Sequence, residues 1–523
     1  MKPKRKKTWL KNRGYLHITR QINVYDERGA VLGMVKNPDF VAGYNFFPLI
    51  HTNIKVRRYK IPKGGSKRQH SFEGKTHAKL RPLHYASHMD AMIFGYYGDL
   101  LQKAYLKEIE NTPHLSDCVT AYRRIKDPSK KDAHKSTIHF AHEVFTAIKE
   151  RAENGGCWAL KFDIESFFSS IDHSLLKKAW AKITRQTMLS PDHYNVFKAS
   201  TRFSYILRDD LRARPTHDGH RSGFDEGSLA EIRKQNTSSF FADPADFRQV
   251  LKEGKLKVYK NQFRNKAGDM MGIPQGLPLS ATLANLYLLE FDKAVLDFVV
   301  TGRQGYYRRY SDDIIIICKE DQRVAMIDFL SHTLENGSKV TISPEKTEQY
   351  YFTSETIEHE TVVRSHLLKD CSLYPDRPLT YLGFEYYGYK TLIKSANLSK
   401  FYRRMIMAVK GKARHAMLSA RNTPGASQAL FRRRLYRLYT NINLDEKEVK
   451  RKHKYLEPNR FGYYVYRTEQ KDDEFRSNYF SYATRASEIM KEPRILKQVR
   501  RHRTIFTAAS KKQLAIYKRK YLD

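Results

Sequence analysis

The segment that most constrains the fold of this chain is Tyr310-Ser311-Asp312-Asp313, which four consecutive isoleucines follow at 314–317. A run of β-branched residues predicts a buried strand, and residues 306–318 together predict a hairpin with two adjacent carboxylates at its turn. Carboxylates this close repel each other, and an apolar strand beneath them raises the cost of ionising both. A bound divalent cation removes that objection, whereas ordinary turn chemistry accounts for an isolated Asp-Asp pair without a cation.

A third carboxylate, Asp163, follows the apolar segment 157–162, which predicts a second buried strand. If this strand end faces the hairpin turn, Asp163, Asp312 and Asp313 supply the hard oxygen ligands that Mg²⁺ prefers. Such a site can hold two cations and leave coordination positions for phosphate oxygens. The alternative for Asp163 is a cap at the end of a strand.

The order of three local patterns favours the catalytic interpretation. The patterns are Phe162-Asp163-Ile164-Glu165-Ser166-Phe167-Phe168, then Pro274-Gln275-Gly276 with Ser280, then Tyr310-Ser311-Asp312-Asp313. In this order they resemble motifs A, B and C of the reverse transcriptase palm. Residues 342–347 resemble motif D, residues 381–386 resemble motif E, and residues 80–124 look like the fingers region. The resemblance covers about 80–390 and implies an RNA-directed DNA polymerase, a nucleotidyltransferase, with an α+β right-hand fold.

The resemblance implies a role for each acidic residue. Asp163, Asp312 and Asp313 would be catalytic and would bind two Mg²⁺ ions as cofactors. The primer 3′-hydroxyl, with its pKa lowered by one ion, would attack the α-phosphate of the incoming nucleotide, while the second ion stabilises the departing pyrophosphate. Lys346 resembles the motif D lysine and is a candidate proton donor to pyrophosphate, although a surface lysine is the alternative.

Five further residues are expected at the nucleotide. Phe168 falls where the family carries a bulky steric gate, and a ring there would clash with a ribose 2′-hydroxyl, so the expected substrates are dNTPs; a core phenylalanine is the alternative. Gln275 and Gly276 would line the nucleotide pocket, where Gly276 permits close backbone approach. Arg123 and Arg124 would reach the triphosphate.

Charge divides the chain into three regions. The formal net charge is +39, yet residues 1–80 carry 19 basic and 4 acidic residues and residues 391–523 carry 33 and 11, so the middle is nearly neutral. We therefore expect a basic, irregular and strand-poor N-terminal extension at 1–80, followed by fingers and an antiparallel-sheet palm at 81–390 with an insertion at about 209–255. A helical basic thumb and C-terminal region are expected at 391–523. A solvated helix face is the alternative for any single basic run.

The spacing of apolar residues predicts several helices. One is expected from about residue 79 to 124, one at about 279–298, and one that starts after Asp172 as its predicted N-cap. Thr423 is the predicted N-cap of a further helix at 430–439. Before it, eight residues form one apolar stripe of a helix: Leu398, Phe401, Tyr402, Met405, Ile406, Val409, Ala413 and Met417.

An excess of positive charge this large predicts a polyanionic partner, and nucleic acid is the first to consider. Basic residues of the C-terminal region alternate with aromatic residues, which offer faces on which bases stack. The expected nucleic-acid-binding residues are Arg403, Arg404, Arg432, Arg433, Arg434 and Arg437.

Nothing in the sequence predicts a membrane protein. No window approaches the roughly 18 consecutive apolar residues of a spanning helix, and no apolar segment follows the basic start of the chain as a secretory signal would require. The four cysteines lie far apart without a C-x-x-C pattern. We therefore expect a cytoplasmic protein without a membrane partner.

The arrangement of the regions resembles the unknown-group, defence-associated bacterial reverse transcriptases, which act against bacteriophages. That resemblance implies a non-coding or template RNA, a DNA product and a possible homo-oligomer. A retron or group II intron-type reverse transcriptase is an alternative, as are a non-catalytic RNA-binding scaffold and an enzyme that synthesises RNA.

Overall fold

The computed structural model describes residues 9–56, 59–60, 69–70, 79–129, 133–211, 215–216, 219–220, 239–343, 346–357, 360–441, 449–458, 464–473 and 478–523. Its helices are α1 (Arg28–Lys36), α2 (Pro38–Ala42), α3 (His88–Asn111), α4 (Leu115–Cys118), α5 (Thr137–Glu153), α6 (His173–Ile183), α7 (Pro191–Thr201), α8 (Pro244–Lys252), α9 (Ser280–Tyr287), α10 (Leu289–Val295), α11 (Arg323–His332), α12 (Ser395–Asn422), α13 (Arg433–Tyr439), α14 (Tyr479–Ile489), α15 (Arg494–Val499) and α16 (His502–Tyr521). Its strands are β1 (Leu49–Val56), β2 (Tyr59–Lys60), β3 (Gln69–His70), β4 (Lys79–Tyr85), β5 (Cys157–Asp163), β6 (Ser204–Leu207), β7 (Pro215–Thr216), β8 (Gly219–His220), β9 (Tyr259–Lys260), β10 (Tyr306–Tyr310), β11 (Asp313–Cys318), β12 (Glu348–Ile357), β13 (Glu360–Lys369), β14 (Ser372–Pro375), β15 (Leu379–Tyr381), β16 (Phe384–Tyr386), β17 (Thr391–Ile393), β18 (Val449–Pro458) and β19 (Tyr464–Asp473).

A six-stranded antiparallel sheet in the order β10-β11-β5-β12-β13-β14 forms the centre of the structure. The predicted hairpin and the predicted strand after residue 157 are therefore confirmed, and they lie side by side. Strand β11 is apolar at every position of 314–317 because both of its faces are covered. Ile314 and Ile316 belong to one hydrophobic cluster, and Ile315 and Ile317 belong to another on the opposite face.

A second sheet, in the order β4-β1-β6-β9, contains part of the region expected to be an irregular extension. Strand β1 pairs with β4 in antiparallel fashion, from Ile50 opposite Tyr85 to Val56 opposite Lys79. The two helices before β1 bury Val31, Val35 and Val41 in the main core. The expectation of a strand-poor 1–80 is wrong for its described part. Strand β1 forms there by pairing with β4 and β6, which lie later in the chain.

Several helix boundaries differ from the prediction. The helix expected from about residue 79 begins at His88, where Ser87 accepts a hydrogen bond from the amide of Asp90. The helix expected at 279–298 is divided into α9, α10 and a π-helical segment at Leu296–Thr301. The predicted N-cap of α6 is confirmed, since Asp172 accepts a hydrogen bond from the amide of Leu175.

The C-terminal region is only partly helical. Helix α12 packs against α16 and buries five of the eight residues of the predicted stripe, namely Phe401, Met405, Val409, Ala413 and Met417, while the other three are half-buried. The next helix begins at residue 433, and the predicted N-cap at 423 instead ends α12. Strands β18 and β19 form a hairpin that the helical prediction missed.

The predicted insertion and the predicted lack of a membrane span can also be compared with the described residues. Much of the predicted insertion at 209–255 lies outside the described residues. Phe240, Phe241 and Phe247 of its described part are buried in a small core that also contains Ile18, Ile50 and Ile206. Among the helices of the described residues, none combines the length and apolar character that a membrane crossing needs.

Candidate active site

The central sheet brings the three predicted carboxylates together. Asp163 ends β5 and Asp313 begins β11, and the two are direct cross-strand partners. The amide of Ile164 donates to the carbonyl oxygen of Asp312 at 3.2 Å, which continues the pairing into the turn. Backbone hydrogen bonds between distant segments therefore place one acidic residue against the other two.

The turn between β10 and β11 consists of Ser311 and Asp312, because Tyr310 and Asp313 still pair across the hairpin. Ser311 has a φ of 62°, a left-handed conformation that two-residue hairpin turns favour. The hydroxyls of Tyr122 and Ser311 lie 3.1 Å apart and share a hydrogen bond. The turn is thus held from both sides, and it presents Asp312 at its tip.

Asp312 and Asp163 lie close enough to Asp313 to affect the ionisation of its carboxyl group. Burial, together with the neighbouring charges of Asp312 and Asp163, raises the pKa of Asp313 to about 6, while Lys161 and Lys346 oppose the shift. Lys161 also forms an ion pair with Glu348 at 2.9 Å. The cluster therefore carries more negative charge than its own neighbours neutralise.

This donor set fits a hard divalent cation. Asp163 and Asp313 are paired across the strands beside Asp312, and the charges of Asp312 and Asp163 contribute to the raised pKa of Asp313, so a cation there would relieve repulsion. Lys346 contacts the Asp163 carboxylate and supplies one positive charge. Within the described ranges, no group of three or more acidic, histidine or cysteine side chains lies in an arrangement that could already hold a metal ion.

Phe168 lies in a short 3-10 segment, Phe167–Ser169, directly after β5. Its carbonyl oxygen accepts a hydrogen bond from the amide of Ile273 at 2.8 Å, so the segments that resemble motifs A and B are joined beside the carboxylates. The Phe168 ring is half-buried and packs against the core edge and the ring of Phe167.

The loop at Gln275 and Gly276 is held by strand β4. The amide of His84 donates to the carbonyl oxygen of Gln275 at 2.8 Å. Gly276 has a φ of +115°, and a Cβ there would collide with the His84 carbonyl oxygen. Only glycine satisfies both the conformation and the close approach.

The two arginines predicted at the triphosphate differ in their surroundings. The Arg123 guanidinium donates to the carbonyl oxygens of Ser116 and Val119 at 2.8 and 2.5 Å. Burial lowers its pKa. Arg124 is exposed. Arg123 would have to give up its two backbone hydrogen bonds to reach a triphosphate, so Arg124 fits the predicted role better.

The predicted nucleic-acid-binding arginines also separate by exposure. Arg403 and Arg404 lie on the exposed face of α12, and Arg432 and Arg434 are exposed at the start of α13. Arg437 is half-buried, and the side chain of Arg433 lies outside the described residues. The four exposed residues are the ones that a polyanion can reach directly.

Sequence reasoning missed a charged group beneath the turn. Arg309 and Asp292 form an ion pair at 2.5 Å in which both side chains are 0% exposed. A signal was present, because alternate residues of β10 face inward and Arg309 occupies an inward position. A charged residue at such a position requires a partner.

The comparisons with known proteins define the class. Residues 96–386 match the family described as reverse transcriptase (RNA-dependent DNA polymerase). The chain therefore belongs to the reverse transcriptase family, and the predicted enzyme class, a nucleotidyltransferase, is confirmed at that level. The matched range lies within the predicted region 81–390.

Solved structures of telomerases are also similar to this chain. Apo telomerase from Candida tropicalis is 11% identical with a TM-score of 0.34, and the match covers 76% of this chain and 60% of that one. Telomerase from Candida albicans in complex with a fragment of telomeric RNA is 10% identical with a TM-score of 0.33, covering 73% and 52%. The chain thus spans little more than half the length of these telomerases. A search among curated proteins finds no match.

Proposed function

We propose that this protein is an RNA-directed DNA polymerase that adds dNTPs to a primer at the site formed by Asp163, Asp312 and Asp313. The observation that carries the proposal is the cross-strand pairing of Asp163 with Asp313 beside the turn that holds Asp312. Membership of the reverse transcriptase family supports the same reaction.

In this proposal the central sheet is the palm, the β4-β1-β6-β9 sheet belongs to the fingers, and α12 begins the thumb. Two Mg²⁺ ions bound by the three carboxylates would activate the primer hydroxyl and stabilise the leaving pyrophosphate. The chain's own contribution is to hold those carboxylates in register and to place Phe168, Gln275 and Gly276 beside them. Lys346, in contact with Asp163, is placed to hold a proton near the phosphates.

The experiment uses the purified chain with an RNA template, a complementary DNA primer, dNTPs and Mg²⁺. Asp312→Ala combined with Asp313→Ala is expected to lower primer extension by at least about 10³-fold, because two of the three carboxylates that would bind Mg²⁺ are lost. Asp321→Ala, an exposed acid beyond the other end of β11, is the matched control and should retain activity. Unchanged extension by the double variant would overturn the proposal.

We further propose that a non-coding or template RNA binds the basic C-terminal region and that the enzyme acts as a homo-oligomer in antiphage defence in a bacterial cytoplasm. The net charge of +39 and the exposed arginines of α12 and α13 support the RNA partner. Sequencing the RNA and DNA that copurify with the protein tests it, since a branched RNA–DNA hybrid would favour the retron alternative.

The role in defence is tested in a bacterial host that carries the gene and is challenged with phage. Wild type should reduce plaque formation, and the variant with Asp312→Ala and Asp313→Ala should not. Protection that survives the double substitution would favour the non-catalytic RNA-binding scaffold.

A further inference from the structure

The turn that carries Asp312 rests on a buried polar network centred on Arg309. Two guanidinium nitrogens of Arg309 donate to the two carboxylate oxygens of Asp292 at 2.7 and 2.5 Å. The remaining terminal nitrogen donates to the carbonyl oxygen of Ser311 at 3.1 Å. One side chain thus connects helix α10 to the backbone of the turn.

The same nitrogen of Arg309 also donates to the side-chain oxygen of Asn285 at 3.3 Å. Asn285 lies on α9, and its amide nitrogen donates to the carbonyl oxygen of Ala121 at 3.0 Å. The backbone amide of Thr120 in turn donates to the carbonyl oxygen of Arg309 at 3.0 Å. The segment at 119–122 is therefore tied both to α9 and to the strand that enters the turn.

The side chains of Arg309, Asp292 and Asn285 are 0% exposed. So is that of Tyr307, whose hydroxyl donates to the Asp292 carboxylate at 2.7 Å. Burial alone would lower the pKa of Arg309, but the charge of Asp292 raises it above its ordinary value. A buried ion pair is a weak source of stability, because desolvation offsets most of the attraction. The hydrogen bond from Arg309 to the Ser311 carbonyl is better explained as a contact that fixes the conformation of the turn.

Resting on the proposed function, we propose that Arg309, Asp292 and Asn285 are positioning residues that fix the turn at 311–313 so that Asp312 and Asp313 meet Asp163. The hydrophobic pattern of β11 cannot do this by itself. A slip by one residue would exchange two faces that are equally apolar, whereas it would carry Arg309 away from Asp292. The ion pair thus selects the register in which the carboxylates converge.

The test replaces the pair by apolar residues of similar volume, Arg309→Met with Asp292→Leu. Replacement of a buried ion pair by itself is commonly neutral or stabilising, but Asp292→Leu also removes the acceptor of the buried Tyr307 hydroxyl, so a modest decrease in melting temperature is expected. The turn, however, loses its anchor at the Ser311 carbonyl. We expect kcat for primer extension to fall about 10- to 100-fold, as for other residues that orient metal ligands, with KM for dNTP changed less than about twofold.

The matched control removes a neighbouring ion pair that does not reach the turn. Lys293 follows Asp292 on α10 and pairs with Glu108 of α3 at 2.5 Å. Lys293→Met with Glu108→Leu should leave kcat within about twofold, because an exposed or half-exposed pair contributes little. Arg309→Lys is the conservative variant: it keeps the charge beside Asp292 but lacks the planar fork that also reaches Ser311, so an intermediate kcat is expected.

Amide hydrogen exchange at Ile164 and across 311–314 supplies a readout that does not depend on catalysis. Exchange there should accelerate in the variant with Arg309→Met and Asp292→Leu and stay unchanged in the control. Unchanged exchange, or faster exchange with an unchanged kcat, overturns the proposal. If the apolar variant fails to fold, Arg309→Lys carries both readouts, and a kcat equal to that of wild type overturns it.

The result also separates this inference from the proposed function. If the wild-type chain extends no primer, the proposed function fails while the exchange measurement still decides whether the network holds the turn. If wild type is active and the variants are equally active, only the positioning role fails.

Discussion

Asp163 and Asp313 face each other across strands β5 and β11, although they come from distant parts of the sequence. Their proximity depends on strand register, because a shift by one residue would move Asp313 to the other face of the sheet. The hairpin turn and the backbone bond from Ile164 to Asp312 maintain that register at the site itself. The candidate catalytic site is therefore a property of sheet pairing, and each of the following predictions perturbs one contact that supports it.

Phe168→Ala should relax the choice of sugar. Removal of the half-buried ring opens the space beside the loop at Ile273, so NTP incorporation is expected to rise relative to dNTP by about 10- to 100-fold, which corresponds to loss of about 1–3 kcal/mol of discrimination. The ratio of kcat/KM for dNTP and NTP measures it. Phe168→Tyr retains the ring and should retain the preference; an unchanged ratio in Phe168→Ala would show that the residue is not the gate.

Gly276→Ala should impair nucleotide binding through the backbone. The added Cβ would meet the His84 carbonyl oxygen and would also occupy a φ of +115°, so the loop at Gln275 must move. We expect KM for dNTP to rise about tenfold or more, with a smaller effect on the melting temperature. Gly425→Ala is the control, because its φ is +79° but no atom lies within 4 Å of the added Cβ. Equal behaviour of the two variants would contradict the role of close approach.

Lys346→Met and Lys346→Arg separate two roles of this lysine. Its ammonium contacts the Asp163 carboxylate, so it could act through charge alone or by delivering a proton. If it donates a proton, both substitutions should lower kcat about 10²-fold, since the guanidinium of arginine keeps the charge but holds its proton too tightly. Full activity in Lys346→Arg would show that charge suffices. Lys339→Met, which removes an ion pair with Asp172, is the control.

The sequence was sufficient to predict the site's backbone. The strand before Asp163, the hairpin at 306–318 and the cap at Asp172 are local features, and each follows from residue type and spacing. The buried contact of Arg309 with Asp292 could not be located in this way, because it depends on how α10 packs against β10. Only the inward position of Arg309 on its strand indicated that a partner was needed.

Long-range pairing explains the other differences. The described part of 1–80 contains few continuous apolar runs, yet β1 finds its partners in β4 and β6, which follow it by very different distances in the chain. In the same way, β18 and β19 carry mixed basic and aromatic residues that favour no single period, and only their mutual pairing makes them strands. A local sequence pattern cannot show which distant segment a strand will pair with.

Buried histidines should make the β4-β1-β6-β9 region sensitive to acid. Burial lowers the pKa of His17 to about 3, that of His84 to about 3 and that of His88 to about 4. The ring of His84 also lies 3.1 Å from that of His51, so protonation of both would place like charges together. All of these shifts favour the neutral ring in the folded state.

The sign of the pH dependence follows from these directions. The unfolded chain binds protons near the ordinary pKa of 6.5, whereas the folded chain does not until much lower pH. The stability from each neutral ring is therefore present above 6.5 and is lost as the pH falls toward the folded value. At pH 5 the loss is about 2 kcal/mol for each of the two most shifted histidines.

Thermal unfolding between pH 7.5 and 5.0 measures this effect. His84→Phe fits the surrounding rings of Phe203 and Tyr205 and removes one titrating group, so the decrease in melting temperature on acidification should be smaller than in wild type. His415→Gln changes an exposed histidine on α12 and should leave the decrease unchanged. Because the His84 amide holds the Gln275 carbonyl, the protection factor of that amide, which corrects for the slower intrinsic exchange in acid, should also decrease as the pH falls. Equal pH slopes for wild type and His84→Phe would exclude His84 as a source of the acid sensitivity.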